Sequence, residues 1–410
     1  MKGMGPIPPG FEAGTDGCLM IGGHDCEALV NEAGGTPLFV YNNNLVGTKI
    51  ATFRHSMPSG VALHYAVKAN PYPPLLRWLN KFVDGFDVAS LGELEAIEEA
   101  GVGGVGISFA GPGKSDAGLK RAIADGVTIH VESEGEAARA LRIAGDVGTR
   151  PRLSVRVNPP FALKGAGMKM GGLASQFGID HGRAADVIRG LVEAGADWRG
   201  LHLYAGSQCL DWAALVETFG RAIALAGEIS EAAGAEPPEV NLGGGLGIPY
   251  FDGDKDVDIH ALGQALGEQL RNAPSPLAAT QFIIELGRWL VGEAGVYLTR
   301  IVDRKESRGK TFLVTDGGLH HMLAASGNFG QLLRRNYPVA IASRFNAPAE
   351  EESSIVGCLC TPLDLLADEV ALPAADVGDL VAVFCAGAYG LSASPQAFLG
   401  QARAIEIMVQ

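Results

Sequence analysis

Between residues 61 and 287 the chain repeats one pattern: a short apolar run, then a segment whose apolar residues fall three or four apart. The runs are VALHYAV (61–67), GFDVAS (85–90), VGISFA (105–110), VTIHVE (127–132), RLSVRVN (152–158), GLHLYAG (200–206), PEVNLGGG (238–245) and QFIIELG (281–287). Helical spacing lies between them, as in LGELEAIEEAG (91–101), SDAGLKRAIADG (115–126) and ADVIRGLVEAG (185–195). Eight strands alternating with helices is the count that closes a parallel (β/α)8 TIM barrel. An open doubly wound sheet satisfies the same alternation; the expectation is the barrel.

The flanks read differently. CLMIGG and TPLFVYN come before the pattern, and VGEAGVYLTRIVDRK, KTFLVTDGG, SSIVGCLC, DLVAVFCAGAY and ARAIEIMV follow it, broken by Gly, Pro and Asp turns. These imply a second, C-terminal β-barrel-like domain that also uses the first strands. The expected division is a barrel over residues 42–288 and a β domain from 1–41 and 289–410. No repeat of 20–50 residues is present.

Composition excludes several classes of function. With 47% hydrophobic and 19% charged residues the chain is not disordered. Lys+Arg 32 against Asp+Glu 46 gives a net charge of −14 with no basic stripe, which argues against nucleic acid and anionic membranes as partners. No apolar run approaches a membrane span, and the N-terminus lacks a signal peptide. Six cysteines without a CxxC pair suit reduced thiols, so the expected location is the cytoplasm. The 57 glycines, about twice the usual share, imply tight turns and close backbone approaches.

In such a barrel the active site is built where the strands end, so polar residues there carry the functional reading. The first strand ends HYAVKAN, and strict alternation puts Lys68 on the face of Ala66 and His64. A lysine at a barrel mouth suits Schiff-base chemistry, although one snorkelling from a strand end fits the same spacing. The second strand carries Asp87, followed by Ser90 and Glu93, which read as a helix capping box. Arg156 inside VRV needs an anion or a carbonyl. His202 reads as a satisfied core histidine, whereas Tyr204, on the same face, can cover a flat ring. Gly243, Gly244 and Gly245 bare backbone amides toward an anion, unless they merely form a turn. Glu285 and Arg288 can serve opposite ends of one polar cofactor, or form a surface ion pair. Together an amine, a carboxylate, a phosphate cradle and a ring platform are what pyridoxal 5′-phosphate requires. No HExxH, P-loop or GxSxG occurs, and His320-His321 lacks further ligands, so no metal is expected.

YAVKAN, DVASLGELEAI, GSQ, GGGLG, ELGRWLVGEAGV, CTPLD and GAYG, in that order, resemble the fold-type III pyridoxal-phosphate decarboxylases. That family includes diaminopimelate, ornithine and arginine decarboxylases and shares its alanine-racemase-like barrel. MKMGG (168–172), QFGID (176–180), DGGLHHMLAASGNFGQLLRRNYPV (316–339) and GAYGLSASPQAF (387–398) are most similar to an exosortase A system-associated branch, linked to exopolysaccharide production. The resemblance implies pyridoxal phosphate as cofactor, Lys68 as its Schiff-base lysine and Glu285 as partner of the ring nitrogen. It implies Ser207, Gly244, Gly245, Arg288 and Tyr389 at the phosphate, and Asp87, Glu93 and Arg156 around the lysine and ring. It further implies a homodimer with shared active sites, in which the partner's Cys360 protonates the carbanion.

Glu285 favours decarboxylation over racemisation, because a carboxylate there keeps the pyridinium charged, where racemases of this fold place arginine. Three departures stand out. Tyr204 replaces the family's ring-stacking histidine, and Leu286 replaces a proline. Thr361 stands where diamine and diaminopimelate enzymes carry an acid for the distal amine, and the segment after DGG reads Leu319-His320-His321. With Asp364 as the remaining acid, residues 320, 321, 361 and 364 are the candidate substrate set. The expected substrate is therefore an amino acid with a capped or tethered distal end, such as an aminoacyl group on an acyl or peptidyl carrier protein. Lys164 and Lys169, in loop 164–172, are candidates to meet such a carrier. The alternatives are a diaminopimelate- or diamine-type decarboxylase acting on a free amino acid, a racemase on the same fold, and a non-catalytic binding homologue.

Overall fold

The structure, a computed structural model, describes every residue except Met1, Gly104, Val105 and Leu332, and the side chain of Lys169 also lies outside the description. The chain forms two compact units, residues 50–247 with 256–287 and residues 1–49 with 248–255 and 288–410.

The first unit is a closed parallel barrel. Its strands are β1 (Ala62–Ala66), β2 (Gly85–Val88), β3 (Ile107–Phe109), β4 (Thr128–Val131), β5 (Arg152–Asn158), β6 (Asp197–Leu203), β7 (Glu239–Asn241) and β8 (Gln281–Leu286). Each pairs in parallel with the next, and β8 returns to β1 through Ile283–Ala62 and Glu285–His64. Closure settles the choice between barrel and open sheet. The expected run VGISFA begins at Val105, outside the described residues, and its ordered strand starts at Ile107.

Alternation along the strands sorts the side chains. Leu63, Tyr65, Phe86, Val88, Ile129, Val131, Leu153, Val155, Leu201, Val240, Phe282 and Ile284 form one buried apolar set. The intervening positions are polar and buried too: His64, Asp87, Ser108, His130, Ser154, Arg156, His202, Asn241 and Glu285. These touch one another, as Ser108 does Asp87 and His130 does Ser154, so they fill the barrel interior. Burying so many polar groups is costly unless each finds a partner; some do, as these pairs show, whereas nitrogens of His64, His202 and Asn241 have none among the described residues.

The connecting helices follow local rules. Ser90, Ser115 and Ser133 each accept the amide three residues on at helices Leu91–Glu99, Asp116–Ala124 and Glu134–Val147. Gly148 and Gly234 end Glu134–Val147 and Trp212–Ala233 in the left-handed conformation.

The second unit is β-rich. Its eight-stranded sheet runs Val339–Ile341, Leu380–Val383, Gly295–Ser307, Lys310–Thr315, Glu351–Val356, Leu365–Leu372 in spatial order. Leu38–Asn42 joins it by pairing with the start of Gly295–Ser307 and with Ile405–Val409. Leu19, Ile21, Leu29, Val30, Leu38, Val40, Val296, Leu298, Leu380 and Phe384 build its core. Among the described residues, no helix is long and apolar enough to cross a membrane.

Candidate active site

At the C-terminal ends of β1, β6 and β8 three side chains converge. β1 stops at Ala66, and the chain enters a 3-10 turn, Val67–Ala69. Strict alternation therefore ends one pair short of Lys68, and the turn, not the strand, aims its amine. Lys68 Nζ lies 3.2 Å from Glu285 Oε1; the Glu285 side chain is 1% exposed, that of Lys68 38%. The carboxylate is thus fixed in the wall while the amine reaches the opening. Nζ also stands 5.5 Å from the centroid of the Tyr204 ring, just beyond β6.

His202 is the residue the sequence reading missed. Its burial matches a core histidine, but its Nε2 lies 3.3 Å from Glu285 Oε2, at an angle that misses hydrogen-bond geometry. The signal was present in its shared face with Tyr204. Behind it, His130 packs 4.5 Å from His202 between ring centroids and 3.8 Å from Asp87 Oδ1 through Nε2. Burial, and next the neighbouring His202, push the His130 pKa well below the usual imidazole value, and burial lowers that of His202.

Two carboxyls are driven in opposite directions here. Burial, reinforced by the Glu285 charge, pushes Asp87 well above the usual carboxylate range, while Ser108 Oγ donates to Oδ1 at 2.7 Å. Burial would raise Glu285 as well, but the Lys68 ammonium and His202 outweigh it and hold Glu285 well below that range.

Glu93 and Ser90 form the expected capping pair: Ser90 Oγ accepts the Glu93 amide at 3.1 Å, and Glu93 Oε2 accepts the Ala89 amide at 2.7 Å. Arg156 finds its anion in Glu132 at 2.9 Å, with its guanidinium 5.0 Å from the Phe177 ring centroid. Beyond lies a buried pair that sequence reading did not raise, Lys114 with Glu136 at 3.1 Å. Its lysine also donates to the carbonyls of Gly111 and His130.

After β7 the chain turns through Gly243–Gly245. Gly243 (φ 70°) and Gly245 (φ 101°) occupy the left-handed region, and a Cβ on Gly244 would stand 2.1 Å from the Glu285 carbonyl oxygen. Only glycine fits all three positions. Among the described residues, the amides of Gly244 and Gly245 donate to no acceptor. Two bare amides in a cradle that side chains would fill, beside a wall carboxylate and an amine, fit pyridoxal phosphate. Ser207 lies on the short ladder of Gly206–Ser207 with Met168–Lys169. Lys164, a candidate carrier contact, pairs with Glu217 at 2.8 Å, both side chains being exposed.

The remaining candidates belong to the β-rich unit. Arg288 donates to Tyr250 Oη at 3.0 Å and stacks 4.5 Å from the Tyr389 ring centroid, with Tyr389 at φ 54°. Cys360 is exposed on the turn between Glu351–Val356 and Leu365–Leu372, beside half-buried Thr361. Asp364 is buried, and its oxygens accept the amides of Leu319 at 2.6 Å and Leu359 at 2.8 Å. His320 and His321 are buried as well, 0% and 1% exposed. The His321 nitrogens meet Tyr297 Oη at 3.1 Å and the Ala402 carbonyl at 2.8 Å, and its ring packs 3.8 Å from that of His320.

The family profile described as pyridoxal-dependent decarboxylase, pyridoxal binding domain, matches residues 44–292. An L-glutamyl-[BtrI acyl-carrier protein] decarboxylase from Niallia circulans is 34% identical, over 91% of this chain and 88% of its own. A diaminopimelate decarboxylase from Archaeoglobus fulgidus is 33% identical, over 96% and 92%. Among solved structures, diaminopimelate decarboxylase from M. jannaschii superposes with a TM-score of 0.88 at 26% identity, covering 98% of this chain and 92% of that one.

Proposed function

This chain belongs to the pyridoxal-dependent decarboxylases, and on that premise we propose that it removes the α-carboxylate of an aminoacyl substrate with no free distal ammonium, a carrier-linked aminoacyl group above all. Residues 361–364 carry the reading. Thr361 offers no charge, and each oxygen of the buried Asp364 already accepts a backbone amide. A distal ammonium would enter without a carboxylate partner, at a cost of several kcal/mol. The relative from Niallia circulans, named for a glutamyl group on an acyl-carrier protein, supports the same substrate class.

Bound in the cradle, pyridoxal phosphate supplies a pyridinium ring that takes up the electron pair left when the carboxylate departs as CO2. We assign Glu285, held ionised, to keep the proton on the ring nitrogen, and Lys68 Nζ to hold the cofactor and exchange it with the substrate amine. Gly244, Gly245, Ser207, Arg288 and Tyr389 take the phosphate, and Tyr204 faces the ring. Asp87, its carboxyl pushed up by burial and by the Glu285 charge, lines the wall beside Glu285; Arg156 braces the wall through Glu132. The protein acts as a cytoplasmic homodimer, in which the partner's Cys360 returns a proton to the substrate carbon. The resemblance of MKMGG and GAYGLSASPQAF to the exosortase-associated branch supports a role beside exopolysaccharide production.

The test is CO2 release by the cofactor-loaded protein from free lysine, ornithine, diaminopimelate and glutamate, beside glutamyl and other aminoacyl groups on an acyl-carrier protein. Release from the carrier-linked forms alone is expected. Turnover of a free diamino acid at a comparable rate would overturn the reading and favour the activity named for the Archaeoglobus relative.

A further inference from the structure

The barrel has a second polar opening, where its strands begin. Arg54, His64, Arg152, Arg199, Glu239 and Asn241 line a cavity of about 470 Å³ there. β8 enters it at Gln281 and reaches Glu285 four residues later, roughly 13 Å along the strand. The opening is therefore distinct from the mouth that holds Lys68.

Its polar groups are out of balance. Asp84 is occupied by Arg54 at 2.8 Å and by the Leu63 amide at 2.7 Å. Glu239 is occupied by Arg199 Nη2 at 2.5 Å. Arg152 has no carboxylate among the described residues; its Nε reaches Thr128 Oγ1 at 3.4 Å, a weak contact. Arg199 Nε and Asn241 Nδ2, both buried donors, have no acceptor among the described residues, and the buried His64 Nδ1 has no partner either. Asn241 is 2% exposed and His64 8%. Three guanidiniums against two engaged carboxylates, in a chain of net charge −14, mark this wall as a donor-rich exception. Leaving buried donors unmatched is costly, and an oxyanion is the complement that satisfies them together. The volume falls in the range of small-molecule sites, about 300–1,000 Å³.

We propose that this opening binds a small organic anion whose carboxylate or phosphate head is held by Arg152, with the donors of Arg199 and Asn241 beside it. The proposal is independent of the decarboxylase reading, since Arg152, Arg199 and Asn241 lie at the strand starts and none of the three belongs to the reacting end.

The test uses cofactor-loaded protein, so that the phosphate cradle is filled, titrated calorimetrically with succinate and with glycerol 1-phosphate at constant ionic strength set by chloride. Saturable binding of at least one probe is expected, weakened about tenfold or more by Arg152→Leu. Arg199→Gln, a second variant should the first fold poorly, is expected to weaken it as well, and Arg142→Ala, on an outer helix, leaves it unchanged. A preference for succinate assigns a carboxylate ligand; a preference for glycerol 1-phosphate assigns a phosphate. No saturable binding of either probe, or binding that survives both cavity variants, overturns the proposal.

Discussion

The proposed chemistry rests on Glu285, a buried carboxylate with Lys68 at 3.2 Å and His202 at 3.3 Å. Glu285→Gln keeps the shape and removes the charge. It is expected to lower kcat on the order of 10²-fold or more while cofactor still binds, a split that steady-state rates and absorbance titration resolve. Near-normal kcat would remove Glu285 from its assigned role. In Lys68→Ala the absorbance band of bound cofactor and the activity should disappear together. Lys68, Glu285 and Arg156 were legible in the sequence because each interrupts an apolar run at a predicted strand end. His202 and His130 were not, because their partners are fixed by the lateral register of β2, β4, β6 and β8, which no local pattern encodes. The backbone clasp made by Asp364 was hidden for a similar reason. Its spacing from Cys360 was visible, but the amides of Leu319 and Leu359 that consume it come from folding one loop against another.

Among the elements, the turn after β7 is the most constrained. A methyl group at Gly244 collides with backbone, not with a side chain that can swing away. Gly244→Ala should therefore displace the turn and weaken cofactor binding, measured by dialysis against limiting pyridoxal phosphate. Gly190→Ala, in helix His181–Glu193 with nothing within 4 Å of the new methyl, should instead stabilise the protein by about 0.5–1 kcal/mol. If both variants hold cofactor like the parent, the cradle is not where the phosphate binds. The strands themselves were readable, since period-two alternation and breaker residues are local. The ladder of Met168–Lys169 with Gly206–Ser207 was not, because two-residue strands leave no periodic trace. That ladder nonetheless gives loop 164–172 a fixed anchor beside Ser207.

For the whole molecule, the two-part architecture followed from the change in patterning near residue 290, whereas barrel closure needed the pairing of β8 with β1. Two consequences extend across the chain. If active sites are shared between subunits, mixing inactive Lys68→Ala and Cys360→Ala proteins in equal amounts should restore about a quarter of parental activity, half of the dimers having one intact site. Continued inactivity of a mixture proven to exchange subunits would rule sharing out. The second consequence is acid sensitivity. His64, His130, His202 and His320 are all buried, and burial lowers the pKa of each, that of His320 to about 4 from 6.5. A histidine depressed on folding contributes its full stability above pH 6.5 and loses it as pH falls toward its folded value, because the unfolded chain takes up the proton first. For His320, whose ring is fully buried, the contribution is about 3 kcal/mol at neutral pH, of which about 2 is lost by pH 5. His320→Leu removes that titration and leaves the other three in place. Calorimetric unfolding of parent and variant at pH 7 and pH 5 should show the variant losing less on acidification by about that amount. An identical loss in both would mean that His320 takes up its proton without unfolding.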